Sequence, residues 1–350
     1  MIAADQAVQR PPYAKLMIVD SSRQIGHAPR SALIDFLNPG DLVIANDAAT
    51  LPASLHGVHV ATGRVIEARL AGRPSLESED MGRFTAIIFG EGDFHTRTED
   101  RRPPPRLAAG DRLLLGPLCA TVERLMGHPR LVTLLFEGDA DLVWAGLARH
   151  GRPIQYAHLK IPLALWDVWT RIARQPVAFE PPSAGFVLDW QLLRTMRERG
   201  IEFATITHAA GISSTGDEEL DRLLPFDEPY RIPEATAVAV RRARMRHSRV
   251  VAVGTSVVRA LEHAATDVGE LRSGEGIATQ HLGPASRLRV VDAILSGTHE
   301  PGTSHYELLR AFLDEATLLQ TNNELNAEGY RTHEFGDSVL IERSYGRIAE

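Results

Sequence analysis

The sequence predicts an α/β protein whose main domain carries a small inserted all-β domain of barrel-like character. Two textures along the 350-residue chain support this prediction. Residues 58–150 consist of short β-rich runs separated by Gly, Pro and Asp, which is typical of a small barrel or sandwich. After residue 150, strand patterns alternate with amphipathic helical patterns, as in an open α/β sheet. The main domain is therefore expected at residues 1–57 and 151–350, with the insert at residues 58–150.

Composition and charge exclude several classes of protein. The chain is 44% hydrophobic and 24% charged, as expected of a globular protein. Its net charge of −7 argues against non-specific coating of DNA. A single cysteine, Cys119, excludes an intramolecular disulfide. The amino end has no apolar leader, and no run approaches the roughly 20 apolar residues of a membrane span. We therefore expect a cytoplasmic protein without a membrane partner; the oligomeric state is left open.

The first polar pair at a strand end is Asn46 and Asp47. A turn at residues 38–40 leads into the predicted strand LVIA, and the pair follows this strand directly. A site at the strand end and an Asx turn that closes the strand are both compatible with this pattern.

The stretch VVAVGTSVVRALE predicts a strand, a tight turn and a helix. The β-branched run at residues 250–253 fits a strand covered on both faces. Gly254 permits a sharp turn, and Thr255 or Ser256 can cap the helix that follows. Free N–H groups at such a helix end can bind an anionic ligand.

Two similar strand–loop–helix units flank this stretch in sequence. One strand ends at His208, and another, predicted at residues 287–295, precedes a loop that contains His299. Ser304 and Glu307 predict a capping box at the start of the third helix. If the three strands are parallel, their polar ends lie on one rim of the sheet, which favours a site there.

Several common chemistries lack their motifs. His299 and His305 are six residues apart without a cysteine cluster or an H-E-x-x-H sequence, so no metal site is expected. The serine hydrolase elbow, the Walker loop and the glycine-rich dinucleotide fingerprint are also missing.

The arginine-rich run at residues 241–249 has two readings. Five arginines at a helix end can form a solvated face that offsets the helix dipole. They can also contact the phosphates of an RNA, which an otherwise acidic protein would need. The tryptophans mostly occupy helical positions and are expected in the core: Trp144, Trp166, Trp169 and Trp190.

Six blocks, in order along the chain, resemble motifs of the S-adenosylmethionine:tRNA ribosyltransferase-isomerase family of the queuosine pathway. The blocks are LNPGDLVIANDAATLPASLHG (37–57), PPSAGFVLD (181–189), THAAGISS (207–214), VVAVGTSVVRALE (250–262), VVDAILSGTHEPGTSHYELLRAF (290–312) and YRTHEFGDSVLI (330–341). The resemblance implies an α/β main domain with an inserted β-barrel. It also implies transfer of the ribosyl part of S-adenosylmethionine onto a 7-aminomethyl-7-deazaguanine base in tRNA, with release of adenine and methionine. S-adenosylmethionine is then a substrate, and no further cofactor is implied.

The same resemblance assigns candidate site residues. His208 and His299 match family histidines and are candidates for proton transfer. Thr255 and Arg259 match the turn and helix arginine, suited to holding a carboxylate or phosphate. Glu262 is expected to orient Arg259 or the ribose hydroxyls. The remaining candidates for substrate binding are Asn46, Asp47, Ser183, Gly185, Gly211, Ser256, Pro301 and Asp337.

The chain also departs from the family motifs. The departures are at Ala48, Ala49, Ser54, Val187, Gly297, Thr298 and Glu300. They remove polar groups available to tRNA or to the incoming base. Three readings therefore remain: the tRNA-modifying enzyme, a diverged relative that uses the same chemistry on a small-molecule acceptor, and a non-catalytic nucleotide- or RNA-binding protein.

Overall fold

The computed structural model describes residues 1–344. The last six residues of the predicted main domain, 345–350, lie outside this range. Within the described range, no helix combines the length and apolar composition needed to cross a bilayer.

The strands and helices follow one another as an α/β chain interrupted by a block of consecutive strands. The strands are β1 Ile2–Ala3, β2 Lys15–Val19, β3 Ile25–Pro29, β4 Leu42–Asn46, β5 Ala48–Thr50, β6 Ser54–His59, β7 Arg64–Gly72, β8 Arg83–Phe89, β9 Arg112–Leu115, β10 Leu118–Leu125, β11 Leu131–Phe136, β12 Gln175–Ala178, β13 Glu202–His208, β14 Glu228–Ile232, β15 Val250–Val253, β16 Gly274–Ala278, β17 Ala293–Gly297, β18 Arg331–Thr332 and β19 Ser338–Glu342. The α-helices are α1 Ala140–His150, α2 Leu165–Val168, α3 Trp190–Glu198, α4 Glu218–Asp221, α5 Glu234–Met245, α6 Thr255–Ala264, α7 Ser304–Leu309 and α8 Glu315–Ala327. Short 3-10 helices lie at Arg30–Phe36, Ser78–Gly82, Thr98–Asp100 and Ser183–Val187.

Strands β6 to β11 close into a six-stranded antiparallel barrel in the order β10-β11-β8-β7-β6-β9. Its interior is filled by alternating apolar side chains. In β9, for example, Leu113 and Leu115 are buried, whereas Arg112 and Leu114 face outward. The predicted barrel-like insert is confirmed, because strand closure leaves no open sheet edge to pair with the main domain.

The barrel begins before residue 58, where the insert was predicted to start. Strand β6 starts at Ser54, so the predicted boundary falls inside a barrel strand. Gly57 lies in the middle of that strand, where an added Cβ would come within 2.0 Å of the carbonyl oxygen of Leu114. This glycine therefore allows β6 to pass close to β9 and does not mark a turn between domains.

The main domain is built on a nine-stranded sheet in the order β16-β14-β13-β4-β15-β17-β19-β2-β3. Its four central strands, β13, β4, β15 and β17, run parallel. Strand β4 lies between β13 and β15, because the amino-terminal part of the chain enters the middle of the sheet. The carboxyl ends of all four strands therefore meet on one rim.

Apolar layers cover both faces of this sheet, as the β-branched run of β15 predicts. Val250 and Ala252 face the layer that contains α5 and α6. Val251 and Val253 face the opposite layer, which contains α3. Burial on both faces explains why β15 shows no alternation of polar and apolar residues.

The strand predicted at residues 287–295 is wrong in its first half. The backbone N–H groups of residues 289–291 donate to the carboxylate of Glu262 over 2.6 to 2.9 Å. These donors are not used in a sheet ladder, so the strand begins only at Ala293. A distant acid, invisible to local patterning, thus determines where β17 starts.

The helix predicted after the third loop is divided into α7 and α8. Asp314 caps α8 by accepting from the backbone N–H of Thr317 at 2.9 Å, so a new helix starts there. The predicted capping box is also wrong, because Thr303 is the N-cap of α7 and accepts from Tyr306 N–H. Ser304 is already inside that helix.

Three tryptophans predicted to lie in the core are exposed. Trp166, Trp169 and Trp190 are 77%, 41% and 70% exposed, whereas Trp144 packs partly buried on the barrel core. Helix α2 has four residues and too little surface to cover its own tryptophan. Trp190 is the first residue of α3, a helix whose buried residue is Met196.

Candidate active site at the rim of the parallel strands

Four chain segments bring polar groups together on the rim. His208 ends β13, Asn46 ends β4, Thr255 follows β15, and His299 follows β17. Two adjoining clefts open at this edge. Thr255, Ser256, Gly211 and His305 line both of them.

Asn46 holds the end of β13 in place. Its Nδ2 donates to the carbonyl of His208 at 2.9 Å, and its Oδ1 accepts from the N–H of His208 at 3.0 Å. Nδ2 also lies 3.4 Å from the hydroxyl of Ser256. Since the Asn46 side chain is buried and its hydrogen bonds are used within the protein, it positions other groups.

Arg259 lies at the floor of one cleft and is fully engaged by the protein. Its Nη1 donates to the carboxylate of Glu228, and its Nη2 donates to the carbonyls of Phe226 and Ala278, both at 2.8 Å. Its Nε donates to the carbonyl of Gln280 at 3.1 Å. The expected substrate anion is thus replaced by an internal one, and Arg259 organises the floor.

His208 is completely buried beside this ion pair. Its Nε2 lies 3.4 Å from Oε2 of Glu228, and neither ring nitrogen has a hydrogen-bond partner among the described residues. Burial, followed by the charge of Arg259, lowers the pKa of His208 to about 3. Burial also raises the pKa of Glu228, which Arg259 counteracts. A neutral imidazole beside a buried carboxyl group can exchange a proton with it, but His208 has no exposed surface for a ligand.

His299 and His305 form the second histidine group, on the cleft wall. Their rings meet edge to face at 4.7 Å, and Nε2 of His299 lies 2.9 Å from the hydroxyl of Ser296. Burial, with the neighbouring His305 and His333, holds the pKa of His299 well below its usual value. Both rings are therefore neutral at pH 7, the state in which imidazole accepts a proton.

The amino end of α6 faces both clefts with free capacity for an anion. Gly254 precedes the helix at φ 97°, and no side chain caps it. The predicted caps, Thr255 and Ser256, instead lie within the first turn. Uncapped N–H groups at the start of a ten-residue helix suit a carboxylate.

The segment after β12 forms the opposite wall. Ser183 lines the second cleft together with Ala184, whose Cβ lies 3.4 Å from the position a Cβ on Gly254 would take. Gly211 donates its N–H to Oε1 of Glu228 at 2.5 Å. Gly185 packs under this wall, against Thr170, and does not reach the cleft.

Other predicted site residues serve the framework. Glu262 binds the backbone of residues 289–291 and does not contact Arg259, as described above. Asp47 accepts from the hydroxyls of Thr205 and Thr207 at 3.0 and 2.6 Å.

Two further candidates lie away from the clefts. Asp337 accepts from the N–H groups of Lys15 and Arg331 at 2.7 and 2.8 Å. Pro301 is exposed in the loop before α7 and lines neither of the two clefts.

Three cleft residues were missed in the sequence: Glu228, His305 and Glu180. Glu228 and Glu180 stand beside prolines at strand ends, and each is a lone acid in an apolar run. That pattern was an available signal for a buried carboxylate. His305 follows a helix cap, and only the turn of α7 directs it toward His299.

A possible metal-ligand group lies close to this rim. In residues 1–344, His158, His333 and Glu334 place their ligand atoms within 4.8 Å of one another. The two imidazoles stack face to face, however, at 4.4 Å and 21°. Rings that share an ion converge on it through their edges, so this stacking does not fit a shared metal.

Known proteins resemble this chain over nearly its whole length. A family model described as queuosine biosynthesis protein matches residues 1–341. The S-adenosylmethionine:tRNA ribosyltransferase-isomerase of Gloeobacter violaceus is 32% identical over 343 residues, covering 97% of this chain and 92% of that protein. The protein of the same description from Thermus thermophilus is 32% identical over 352 residues, covering 97% and 95%. The crystal structure of S-adenosylmethionine tRNA ribosyltransferase from Thermotoga maritima shares the fold, with a TM-score of 0.51 at 23% identity and coverage of 97% and 96%.

Proposed function

Because this chain belongs to the family of queuosine biosynthesis proteins, we propose that it is an S-adenosylmethionine:tRNA ribosyltransferase-isomerase. The family predicted from six sequence blocks is thereby confirmed. The ribosyl group of S-adenosylmethionine moves onto a 7-aminomethyl-7-deazaguanine base in tRNA and rearranges to the epoxycyclopentanediol. Adenine and methionine leave. A tRNA substrate would place this reaction in the cytoplasm.

One observation carries the proposal: an uncapped helix end and two neutral histidines share one cleft. The methionine carboxylate suits the N–H groups at the start of α6. The adjacent sulfonium acidifies the C5′ hydrogens of the ribose, so a neutral imidazole within reach can remove one. We assign this role to His299, whose ring is oriented by Ser296 and His305.

His208 and Glu228 act from beneath the cleft floor. Glu228 links His208 to Arg259 and to the N–H of Gly211, a residue on the cleft surface. The group thus fixes the loop after β13 and can store a proton. His208 is a positioning residue in this proposal, because no atom of it reaches the cleft.

The tRNA must contact a different surface from the arginine run at residues 241–249. Every arginine of that run already binds an acceptor in the protein, and the run precedes β15 at the opposite edge of the sheet. Near the active-site rim, Arg171 and Arg174 are exposed beside Trp166 and Trp169. Arginine with exposed aromatic rings suits a nucleic acid backbone and its bases.

Adenine release tests the function. Wild-type protein with S-adenosylmethionine should release adenine only when a tRNA carrying the aminomethyl base is supplied, as measured by chromatography. His299→Ala should lower this rate at least a hundredfold, and the exposed His281→Ala should not. Release that is indifferent to the modified tRNA would favour the small-molecule acceptor. Absence of both release and S-adenosylmethionine binding would leave only the non-catalytic reading.

A further inference from the structure

Two glutamates lie together beside the cleft. Glu180 lines the cleft that also contains Thr255 and His299. Glu334, from the loop before β19, lies near enough for its charge to act on Glu180. Glu180 is 7% exposed, and Oε2 of Glu334 is buried. Two acids from distant parts of the sequence thus share one low-dielectric corner.

The protein supplies little compensation for this pair. Oε2 of Glu180 accepts from the N–H of Ser213 at 3.0 Å, but Oε2 of Glu334 has no hydrogen-bond partner within residues 1–344. The hydroxyl of Tyr156 lies near Glu334, also without a partner at hydrogen-bonding geometry. Across the described range, no lysine or arginine forms a salt bridge with either acid.

The barrel shows how this chain stabilises a buried acid when the role is structural. Glu67 is bonded to both Arg69 and Arg101. Burial opposes its ionisation, but the two arginines outweigh burial and lower its pKa to about 2. At Glu180 the result is the reverse. Burial, and then the charge of Glu334, raises its pKa to about 8. A cation is missing from this corner, and a bound cation would relieve the repulsion.

We propose that Glu180 and Glu334 bind an ammonium group of a substrate. The inference rests on the proposed function, which offers two such groups: the aminomethyl arm of the acceptor base and the amino group of S-adenosylmethionine. Both would enter the cleft that Glu180 lines. An ammonium group has three donors, and the pair offers acceptor atoms without protein partners.

Equilibrium binding separates the two sources without requiring turnover. One arm titrates S-adenosylmethionine, and the other titrates the free base 7-aminomethyl-7-deazaguanine, each against wild type, Glu180→Gln and Glu334→Gln. The exposed Glu219→Gln is the matched control. We expect both cleft variants to lose at least tenfold in affinity for the ligand whose ammonium is bound. The affected arm identifies the source. Affinities within twofold of wild type in both arms would overturn the proposal.

Neutral ligands test the same site in the wild-type protein, should the variants fail to fold. The 7-cyano-7-deazaguanine base and an S-adenosylmethionine analogue without the amino group each lack the cation. At least one should bind ten times more weakly than its parent. Equal affinity in both pairs would refute an ammonium site.

Parallel adenine-release assays separate this inference from the proposed function. If wild type turns over and ammonium discrimination is absent, the function stands and the site fails. If discrimination is present and no adenine is released, the site stands and the function fails.

Discussion

The buried Arg259–Glu228 pair should be worth far more as a pair than either residue is alone. Arg259 is 3% exposed and Glu228 is 6% exposed, so removing one partner leaves the other charged and desolvated. We expect Arg259→Met to lower the free energy of unfolding by about 3–5 kcal/mol, and Glu228→Gln by a similar amount. The double variant should cost less than the sum, with a coupling energy of at least about 2 kcal/mol.

The geometry sets the upper limit of this recovery. Arg259 also donates to three backbone carbonyls, and these stay unpaired in the double variant at roughly 1 kcal/mol each. The double variant should therefore remain less stable than wild type.

Urea unfolding followed by circular dichroism measures the four members of this cycle. The exposed pair Arg83–Glu123, at 2.6 Å, provides the matched control, with an expected coupling below about 1 kcal/mol. If the losses at Arg259 and Glu228 simply added, the two residues would act independently, and our account of the cleft floor would be refuted.

Three further outcomes follow from individual residues. The folded state of wild type keeps a proton on Glu180 up to about pH 8, whereas the unfolded chain loses it near pH 4.5, so stability should fall as pH rises through this window. Glu180→Gln should remove that component of the unfolding curve, and an unchanged pH dependence would contradict the raised pKa. Glu262→Ala leaves three backbone N–H groups unpaired and should cost about 3–5 kcal/mol in urea unfolding while sparing the affinity of the surviving protein for S-adenosylmethionine; weakened affinity would return Glu262 to the site. Gly254→Ala forces φ 97° on an alanine at the cleft and should lower both stability, by about 1–2 kcal/mol, and S-adenosylmethionine affinity; Gly200→Ala, with φ 72° and open space around it, should lower stability alone.

Much of the fold was predictable because local patterns and long-range packing agree. The β-branched run of β15 requires cover on both faces and receives it. Asp189 caps α3 through the N–H of Leu192, and Pro233 precedes α5, as local capping rules predict. The exposed Trp166 shows where the agreement ends, since a helical position does not say which neighbour covers it.

The sequence by itself determined the class of the fold, the barrel insert and the rim on which polar strand ends meet. These follow from periodicity, turn residues and the direction of parallel strands, which are properties of neighbouring residues. Only the tertiary structure decided what each polar side chain binds. Arg259 meets Glu228 across 31 positions, and Glu180 meets Glu334 across a far longer separation. Charge pairing depends on distance in space, and distance in sequence carries almost no information about it. For that reason one arginine expected to hold a substrate is bound internally, and two acids unmarked by any motif form the corner that lacks a cation.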